Sequence, residues 1–345
     1  MTNPSTSSPR AALEGRTGWI ISDGKAGHEI QCIGVAEALG LKIEVKRVTP
    51  TGMFKAAAPW GPVAPGEKFG QEGAVFAPPW PQIALAAGRT TIPYIRTLKR
   101  KAGLATFTII LLNPRTPAGS ADLVWVPDHD KRRGPNVVTT LTSPHRFSAS
   151  RLERLRAVMP EAIAALPRPR IAVLLGGPNG DYDFTDDDSA RLSKALAGLS
   201  GSGAGLRISP SRRTPRTFVK AVAAATASAP RIIWDEVSEN PYGDFLAHAD
   251  AFVVTADSVN MAGEAASTGK PVFVFEPSGG GGKFNRFHEG LRAHGITKRL
   301  PEDGGTFEPW AYPPLDSAGV IADEIARRWQ IRADMLPGLV SRSEK

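Results

Sequence analysis

The run from Ala251 to Phe275 constrains the fold more than any other stretch. Ala251 to Val254 is apolar, Thr255-Ala256-Asp257-Ser258 is small and polar, the next residues are alanine-rich with helical spacing, and Gly269 precedes a second apolar run, Val272 to Phe275. This reads as strand, helix and strand, a βαβ unit. The hydroxyls of Thr255 and Ser258 fall where strand gives way to helix. Free backbone N–H groups and the positive end of the helix dipole point at that corner, which suits an anion such as a phosphate. Asn260 and Glu264 are four residues apart on one helix face, so Glu264 can reach hydroxyls attached to that phosphate. A plain helix cap by Ser258 with a solvated Glu264 accounts for the same residues without any ligand.

The same alternation runs through the rest of the chain. Trp19 to Ser22, Ile43 to Val48, Ile83 to Ala87, Thr106 to Leu112, Leu123 to Val126 and Val137 to Thr140 are strand-like, with helical segments at Glu29 to Leu39 and up to Lys101. Thr51 to Pro81, dense in Pro, Gly and Trp and without a period, reads as an irregular excursion or flap. A helix over Ser148 to Leu166 ends at Pro167-Arg168-Pro169, the expected domain boundary. The pattern restarts with strands at Arg170 to Leu175, Gly205 to Ser209 and Arg231 to Trp234. Thr185 followed by Asp186, Asp187 and Asp188 reads as a capped helix start, not a metal site. The fold expected is α/β: two Rossmann-like domains, residues 17–166 and 167–316, facing a central cleft. Residues 1–16 read as a disordered tail, and residues 317–345 as a C-terminal helix that packs back on the first domain.

At 345 residues the chain exceeds the usual size of one core. It carries 41% hydrophobic and 22% charged residues, and no apolar run approaches the length needed to span a bilayer. The N-terminus lacks the apolar core of a secretory signal, and the single cysteine, Cys32, excludes an internal disulfide framework, so a cytoplasmic protein is expected. The net charge of +8 is uneven: residues 1–150 hold 18 Lys and Arg against 10 Asp and Glu, and residues 151–345 hold 24 against 24. A basic first half suits an anionic partner, either a phosphorylated substrate or the inner face of a membrane to which the protein binds peripherally. The basic residues are scattered and no nucleic-acid motif occurs, so nucleic acid is not an expected partner.

Polar residues concentrate in the loops expected after strands: Asp23 to His28, Gly88 to Thr91, Gly176 to Asp181, Ser211 to Thr214, Thr255 to Glu264 and Glu276 to Asn285. Gly176-Gly177-Pro178-Asn179-Gly180 lacks the dinucleotide fingerprint. Gly279-Gly280-Gly281-Gly282-Lys283 ends in Gly-Lys, but the first Gly of a Walker A loop is missing and Phe284 stands where Ser or Thr is required.

Four motifs in order carry a resemblance: Ser22-Asp23-Gly24-Lys25-Ala26-Gly27-His28-Glu29, Gly176-Gly177-Pro178, Ser211-Arg212-Arg213-Thr214-Pro215 and Thr255-Ala256-Asp257-Ser258-Val259-Asn260-Met261. Over about residues 17 to 300 the chain resembles the mitochondrial fission ELM (elongated mitochondria) family, which is similar to GT-B glycosyltransferases. The resemblance implies a nucleotide-sugar in the C-terminal half and an acceptor, phosphorylated or lipid-linked, in the N-terminal half. Gly27-His28 resembles a Gly-Gly-His turn of a lipid-linked-sugar transferase of that fold, and Ser258 to Glu264 resembles its donor helix. Glycosyl transfer needs a site for a leaving diphosphate and a base for the acceptor hydroxyl. Thr255, Ser258 and helix N–H groups beside Gly176 and Gly177 suit the first task, with Arg212 or Arg213 adding fixed positive charge, so neither a metal nor a further cofactor is called for. His28 or Asp23 is the candidate base. Glu264 would grip the ribose, and Glu276 with Gly280 and its neighbours would close over the donor sugar. Two other classes stay open: a recruitment scaffold, as the plant member of the family implies, and a nucleotide-sugar epimerase.

Overall fold

A computed structural model describes residues 9–305 and 307–335. The chain divides into two compact units, the first made of the residues up to Arg146 with those from Ser317 onward, the second of Phe147–Asp316.

In unit 1, strands β1 (Thr17–Ser22), β2 (Lys42–Arg47), β3 (Ile83–Ala87), β4 (Phe107–Leu111), β5 (Leu123–Pro127) and β6 (Val137–Thr140) form one parallel sheet in the order β2-β1-β3-β4-β5-β6. Strands β3, β4 and β5 are buried along their whole length, as uninterrupted apolar runs in a parallel sheet must be. Successive residues point to opposite faces. Ile20, Leu85 and Ile109 pack on Val35 of helix α1 (Ala26–Ala38), on its C-cap Leu39, and on Ile321 and Ile325 of the C-terminal helix Ser317–Met335. Trp19, Ile21, Ala84, Ala86 and Ile110 face the other way. There they meet Ile92, Ile95 and Leu98 of α3 (Ile92–Ala102), the helix that follows the short α2 (Gly52–Ala57).

The C-terminal helix therefore belongs to the core of the first unit, where packing back was expected. Its start is tied by Ser317 and Thr142, whose hydroxyls are 2.7 Å apart. The disorder expected over residues 1–16 does not hold for residues 9–16. Pro9–Leu13 forms a 3₁₀ turn in which Leu13 is fully buried, and Arg10 Nη2 donates to Asp323 Oδ2 (2.7 Å). One apolar residue in a polar segment gives no period to read, so the docking of Leu13 was invisible in sequence. Residues 1–8 and 336–345 lie outside the described residues. The excursion from Thr51 to Pro81 is irregular, yet it is not a free flap. Phe76 is fully buried, stacked on Phe69 (4.7 Å between ring centroids) and edge-on to Trp19 (6.0 Å).

In unit 2, strands β7 (Arg170–Leu175), β8 (Gly205–Pro210), β9 (Arg231–Ile233), β10 (Ala251–Thr255), β11 (Val272–Phe275) and β12 (Thr297–Arg299) form a second parallel sheet, ordered β12-β11-β10-β7-β8-β9. Counted from β7 this is the 3-2-1-4-5-6 order of a Rossmann sheet. Its helices are α4 (Ala149–Arg156), α5 (Glu161–Ala164), α6 (Asp186–Gly201), α7 (Arg216–Ala225), α8 (Tyr242–Ala247), α9 (Val259–Ala266) and α10 (Gly282–Ala293). The single helix expected over 148–166 is split at Pro160, whose missing N–H and extended ψ of 134° begin a new short helix. The division between units falls at 146/147 instead of 166/167. Both α4 and α5 belong to unit 2: Arg156 Nε donates to Ala247 O (2.9 Å), and Phe147 packs on Tyr242. The aspartate triplet opens α6 as expected, with Asp188 N donating to Thr185 Oγ1 (3.1 Å) and Thr185 N to Asp188 Oδ2 (2.9 Å).

The joining of the C-terminal helix to the first core gives a direct test. Ile325→Ala, which empties a fully buried position between α1 and the sheet, is expected to cost about 2–5 kcal/mol of unit 1 stability in a urea titration. Val320→Ala, at an exposed position of the same helix, is expected to leave the midpoint unchanged.

Candidate functional site

Ligands of open α/β sheets bind beyond the carboxyl ends of the strands, at the point where the strand order reverses. In unit 2 that point lies between β7 and β10, and the loops leaving these strands meet there. Asp257, two residues past the end of β10, is the centre of the meeting. Its carboxylate accepts from Thr255 Oγ1 (2.7 Å), Gly177 N (3.0 Å) and Arg213 Nη2 (3.0 Å). The Thr255 hydroxyl in turn accepts from Gly176 N (2.8 Å). Arg213 Nη1 donates to the carbonyls of Gly177 (2.9 Å) and Pro178 (3.2 Å), and Thr214 Oγ1 reaches Leu175 O (2.9 Å). The side chain of Asp257 is wholly buried, and burial lifts its pKa above the ordinary carboxylate range against the pull of Thr255, Gly177 and Arg213.

This changes the expected anion corner. Thr255 is fully buried, and its hydroxyl, together with the N–H groups of Gly176 and Gly177, is committed inside the protein. These groups were expected to hold a phosphate, but they build the floor of the site. The surface above consists of Arg213, nearly half exposed, of exposed Arg212, and of the first turn of α9 with exposed Asn260. Ser258 caps that helix, accepting from Met261 N.

Glu264 lies on α9 as expected but is buried, with one oxygen accepting from the Tyr242 hydroxyl of α8. Burial raises its pKa to about 7, only partly opposed by the Tyr242 hydrogen bond. Glu276 points elsewhere. Its carboxylate pairs with Arg292 (3.0 Å) and Arg299 (3.5 Å), a pairing that spacing along the chain did not reveal. The glycine loop is not a loose cover either. Gly280 N donates to Asp181 O (2.6 Å), Asp183 N donates to Ser278 O (2.9 Å), and Gly279 bridges to Tyr182. The φ values of Gly279 (+96°) and Gly280 (+101°), which L side chains rarely adopt, let the loop dock there.

In unit 1 the order reverses between β1 and β3, and the structure brings Asp23 and His28 together there. His28 Nδ1 lies 3.1 Å from Asp23 Oδ1 and 3.2 Å from Oδ2. Asp23 is nearly buried, whereas 23% of the His28 side chain is exposed. Lys25 N donates to Asp23 Oδ1 (3.2 Å) and Gly24 N to Ser22 Oγ (3.0 Å), so the turn is held by its own side chains. Gly88, at the end of β3, closes against the pair: a Cβ there would lie 2.5 Å from His28 Nδ1 and 2.8 Å from Asp23 Oδ2, and its φ is +95°. A carboxylate on Nδ1 fixes that nitrogen as the donor and leaves Nε2 as the acceptor, the arrangement of an oriented general base.

Sequence reasoning missed the roles of Asp257, Tyr242 and Gly88. A carboxylate two residues after a strand, between two hydroxyl residues, was the available signal for Asp257. Tyr242 had none, because its helix is only six residues long.

Known proteins share this outline. Residues 26–329 match the family described as Mitochondrial fission ELM1. The mitochondrial fission protein ELM1 of Arabidopsis thaliana is 27% identical over 91% of this chain and 92% of its own length. An uncharacterized protein of Rickettsia prowazekii is 27% identical over 89% of this chain and 97% of its own. Among solved structures, a putative UDP-N-acetylglucosamine 2-epimerase from Listeria monocytogenes aligns with a TM-score of 0.54 at 11% identity, covering 93% of this chain and 97% of that one. The glycosyltransferase SnogD from Streptomyces nogalater aligns at 0.50 with 16% identity, covering 93% and 95%. The likeness establishes a GT-B-like fold, two units each with a parallel sheet.

Two outcomes test the unit 2 geometry. A Cβ on Gly177 would collide with the Arg213 carbonyl, whereas one on Gly180 meets nothing within 4 Å. Gly177→Ala is thus expected to cost about 1–3 kcal/mol in chemical denaturation, and Gly180→Ala to be near neutral. The folded-state pKa of Glu264 (about 7) lies above its unfolded value (4.5), so the folded form holds the proton between them. Stability owed to the neutral carboxyl is fully present below pH 4.5 and lost as pH rises through 7. Glu264→Gln should therefore raise stability at pH 8, by up to about 3 kcal/mol, with the gain vanishing at acidic pH. A pH-independent difference would contradict the assignment.

Proposed function

Because this chain belongs to the mitochondrial fission ELM1 family and has a GT-B-like fold, we propose that it is a glycosyltransferase taking a nucleotide-sugar donor on unit 2 and an acceptor hydroxyl on unit 1. The observation that carries this reading is the Asp23–His28 pair at the order reversal of the first sheet. An oriented imidazole is chemistry that a docking scaffold does not need.

In the proposed reaction the acceptor oxygen bonds to the anomeric carbon while its proton passes to His28 Nε2. The bond from that carbon to the diphosphate breaks, and its electron pair leaves on the phosphate oxygen. Asp23 stabilises the imidazolium that forms. Arg213, held in place by Asp257, and exposed Arg212 supply fixed positive charge to the leaving diphosphate, with the N-terminal turn of α9 adding its dipole. The acceptor is phosphorylated or lipid-linked and met at a membrane surface by a peripheral, cytoplasmic protein. No helix among the described residues is long and apolar enough to cross a membrane.

Two other readings have specific support. The similarity to a putative nucleotide-sugar epimerase favours epimerisation on the same fold, and the name of the Arabidopsis relative, a mitochondrial fission protein, favours a part in fission without transfer chemistry. Titration calorimetry against UDP-, GDP- and CMP-linked sugars separates them. The proposal expects one nucleotide class to bind; binding of none would exclude both enzymatic readings. Product released without an added acceptor marks an epimerase. His28→Ala is expected to lower transfer about 10²–10⁴-fold while leaving nucleotide affinity unchanged, and full activity in that variant would remove His28 from the mechanism.

A further inference from the structure

Unit 1 carries a built apolar projection that nothing in the proposed chemistry uses. Met53, on α2, is 75% exposed, and Trp60, just beyond it, is 59% exposed, although Ala58 and Pro59 between them are buried. The segment is fixed from beneath by two arginines. Arg89 donates to the carbonyls of Lys55 (3.0 Å), Ala56 (3.3 Å) and Ala58 (2.6 Å), and Arg96 donates to those of Pro59 (3.0 Å) and Trp60 (2.9 Å). Trp60 N and Gly61 N both return to Ala57 O (3.0 and 2.9 Å). Five arginine hydrogen bonds hold the backbone while a tryptophan and a methionine point to solvent. A side chain exposed merely by chance needs no such support.

No Asp or Glu occurs between Glu44 and Glu67, and of the three basic residues in that stretch Lys46 pairs with Glu44 and Arg47 with Glu29, while Lys55, on α2 itself, is exposed. Unit 1 as a whole has 23 Lys and Arg against 14 Asp and Glu, and unit 2 has 19 against 20, so the excess positive charge resides entirely in the unit that bears the projection. Another exposed apolar pair of unit 1, Leu104 and Ile331, sits beside Arg327, Arg328 and Arg332, which are already paired with Glu324 and Asp122.

We infer that the Met53–Trp60 projection docks unit 1 on an anionic lipid bilayer, with the Trp60 ring and Met53 entering the interface and Lys55 facing the headgroups. Tryptophan is suited to that depth because its ring is apolar and its N–H can stay hydrated. Exposed Lys55 and the net positive charge of unit 1 add attraction to anionic lipid. The docking surface is also linked through the backbone to the candidate base. Arg89, which holds α2, directly follows Gly88, and Gly88 abuts His28. A hydroxyl on a bilayer-embedded lipid is the acceptor this arrangement would present. That last clause alone rests on the transferase reading.

Co-sedimentation of the full chain with vesicles of phosphatidylcholine mixed with phosphatidylglycerol, and with pure phosphatidylcholine, tests the inference. Partition into the mixed vesicles is expected, weakening as salt is raised. The double variant Met53→Ala/Trp60→Ala should lower it about tenfold, while Val237→Ala, an exposed apolar position on unit 2, leaves it unchanged. Brominated lipid should quench the part of the tryptophan emission that Trp60→Phe removes. Failure of the native chain to partition, or equal partition of the double variant, would overturn the docking surface. Nucleotide affinity measured on the same proteins keeps the two readings apart. Intact affinity without vesicle binding contradicts only the docking, and vesicle binding without affinity contradicts only the transfer.

Discussion

The buried carboxylate of Asp257 is the interaction on which the second unit's site depends. A charge removed from water must be matched by donors placed for it. Here the donors are the Thr255 hydroxyl at the end of β10, and the Gly177 N–H and the Arg213 guanidinium from the loops after β7 and β8. One side chain thus fixes three loops at the strand-order reversal. The two glycines follow from it, because side chains on Gly176 and Gly177 would occupy the space of Asp257 and of the Arg213 backbone. Arg213 is left with one face immobilised and the other exposed, which is how a cation is prepared for a ligand without a reorganisation cost.

Unit 1 solves the same topological problem with different chemistry. Its reversal point also joins loops from two adjacent strands, and again a glycine, Gly88, makes room for a paired carboxylate, that of Asp23. There the partner is an imidazole with one nitrogen left over. The sheets give both units a strand-order reversal; the loop residues decide that one carries fixed positive charge and the other an imidazole held by a carboxylate.

Much of this was legible in the sequence. The central strands of both sheets show as apolar runs because they are buried on both faces, whereas β12 (Thr297–Arg299), with exposed Lys298 and Arg299, carries no such signal and was not expected; the Asp23–His28 turn and the Thr255–Glu264 helix stand out by residue type. What could not be read was where polar atoms spend their hydrogen bonds. Thr255 and Gly177 looked available to a phosphate, but Asp257 takes them. Glu276 looked like a sugar contact, but Arg292 and Arg299 claim it. Glu264 looked solvated or ribose-facing, but Tyr242, 22 residues earlier, covers it. These pairings join residues distant in the chain, and no periodicity encodes them. The division between units was misplaced for a related reason. Pro167 to Pro169 marks a stop in helix propensity, whereas the packing of Phe147 and Arg156 onto α8 assigns the preceding helices to unit 2.

The central claim is that the loops gathered by Asp257 form a nucleotide-sugar site. Backbone hydrogen exchange, followed by mass spectrometry with and without a saturating nucleotide-sugar, tests it most directly. Added protection is expected in the segments 176–181, 211–216 and 257–264, with the strands of unit 2 unchanged. Protection absent from all three segments, or confined to unit 1, would contradict the account.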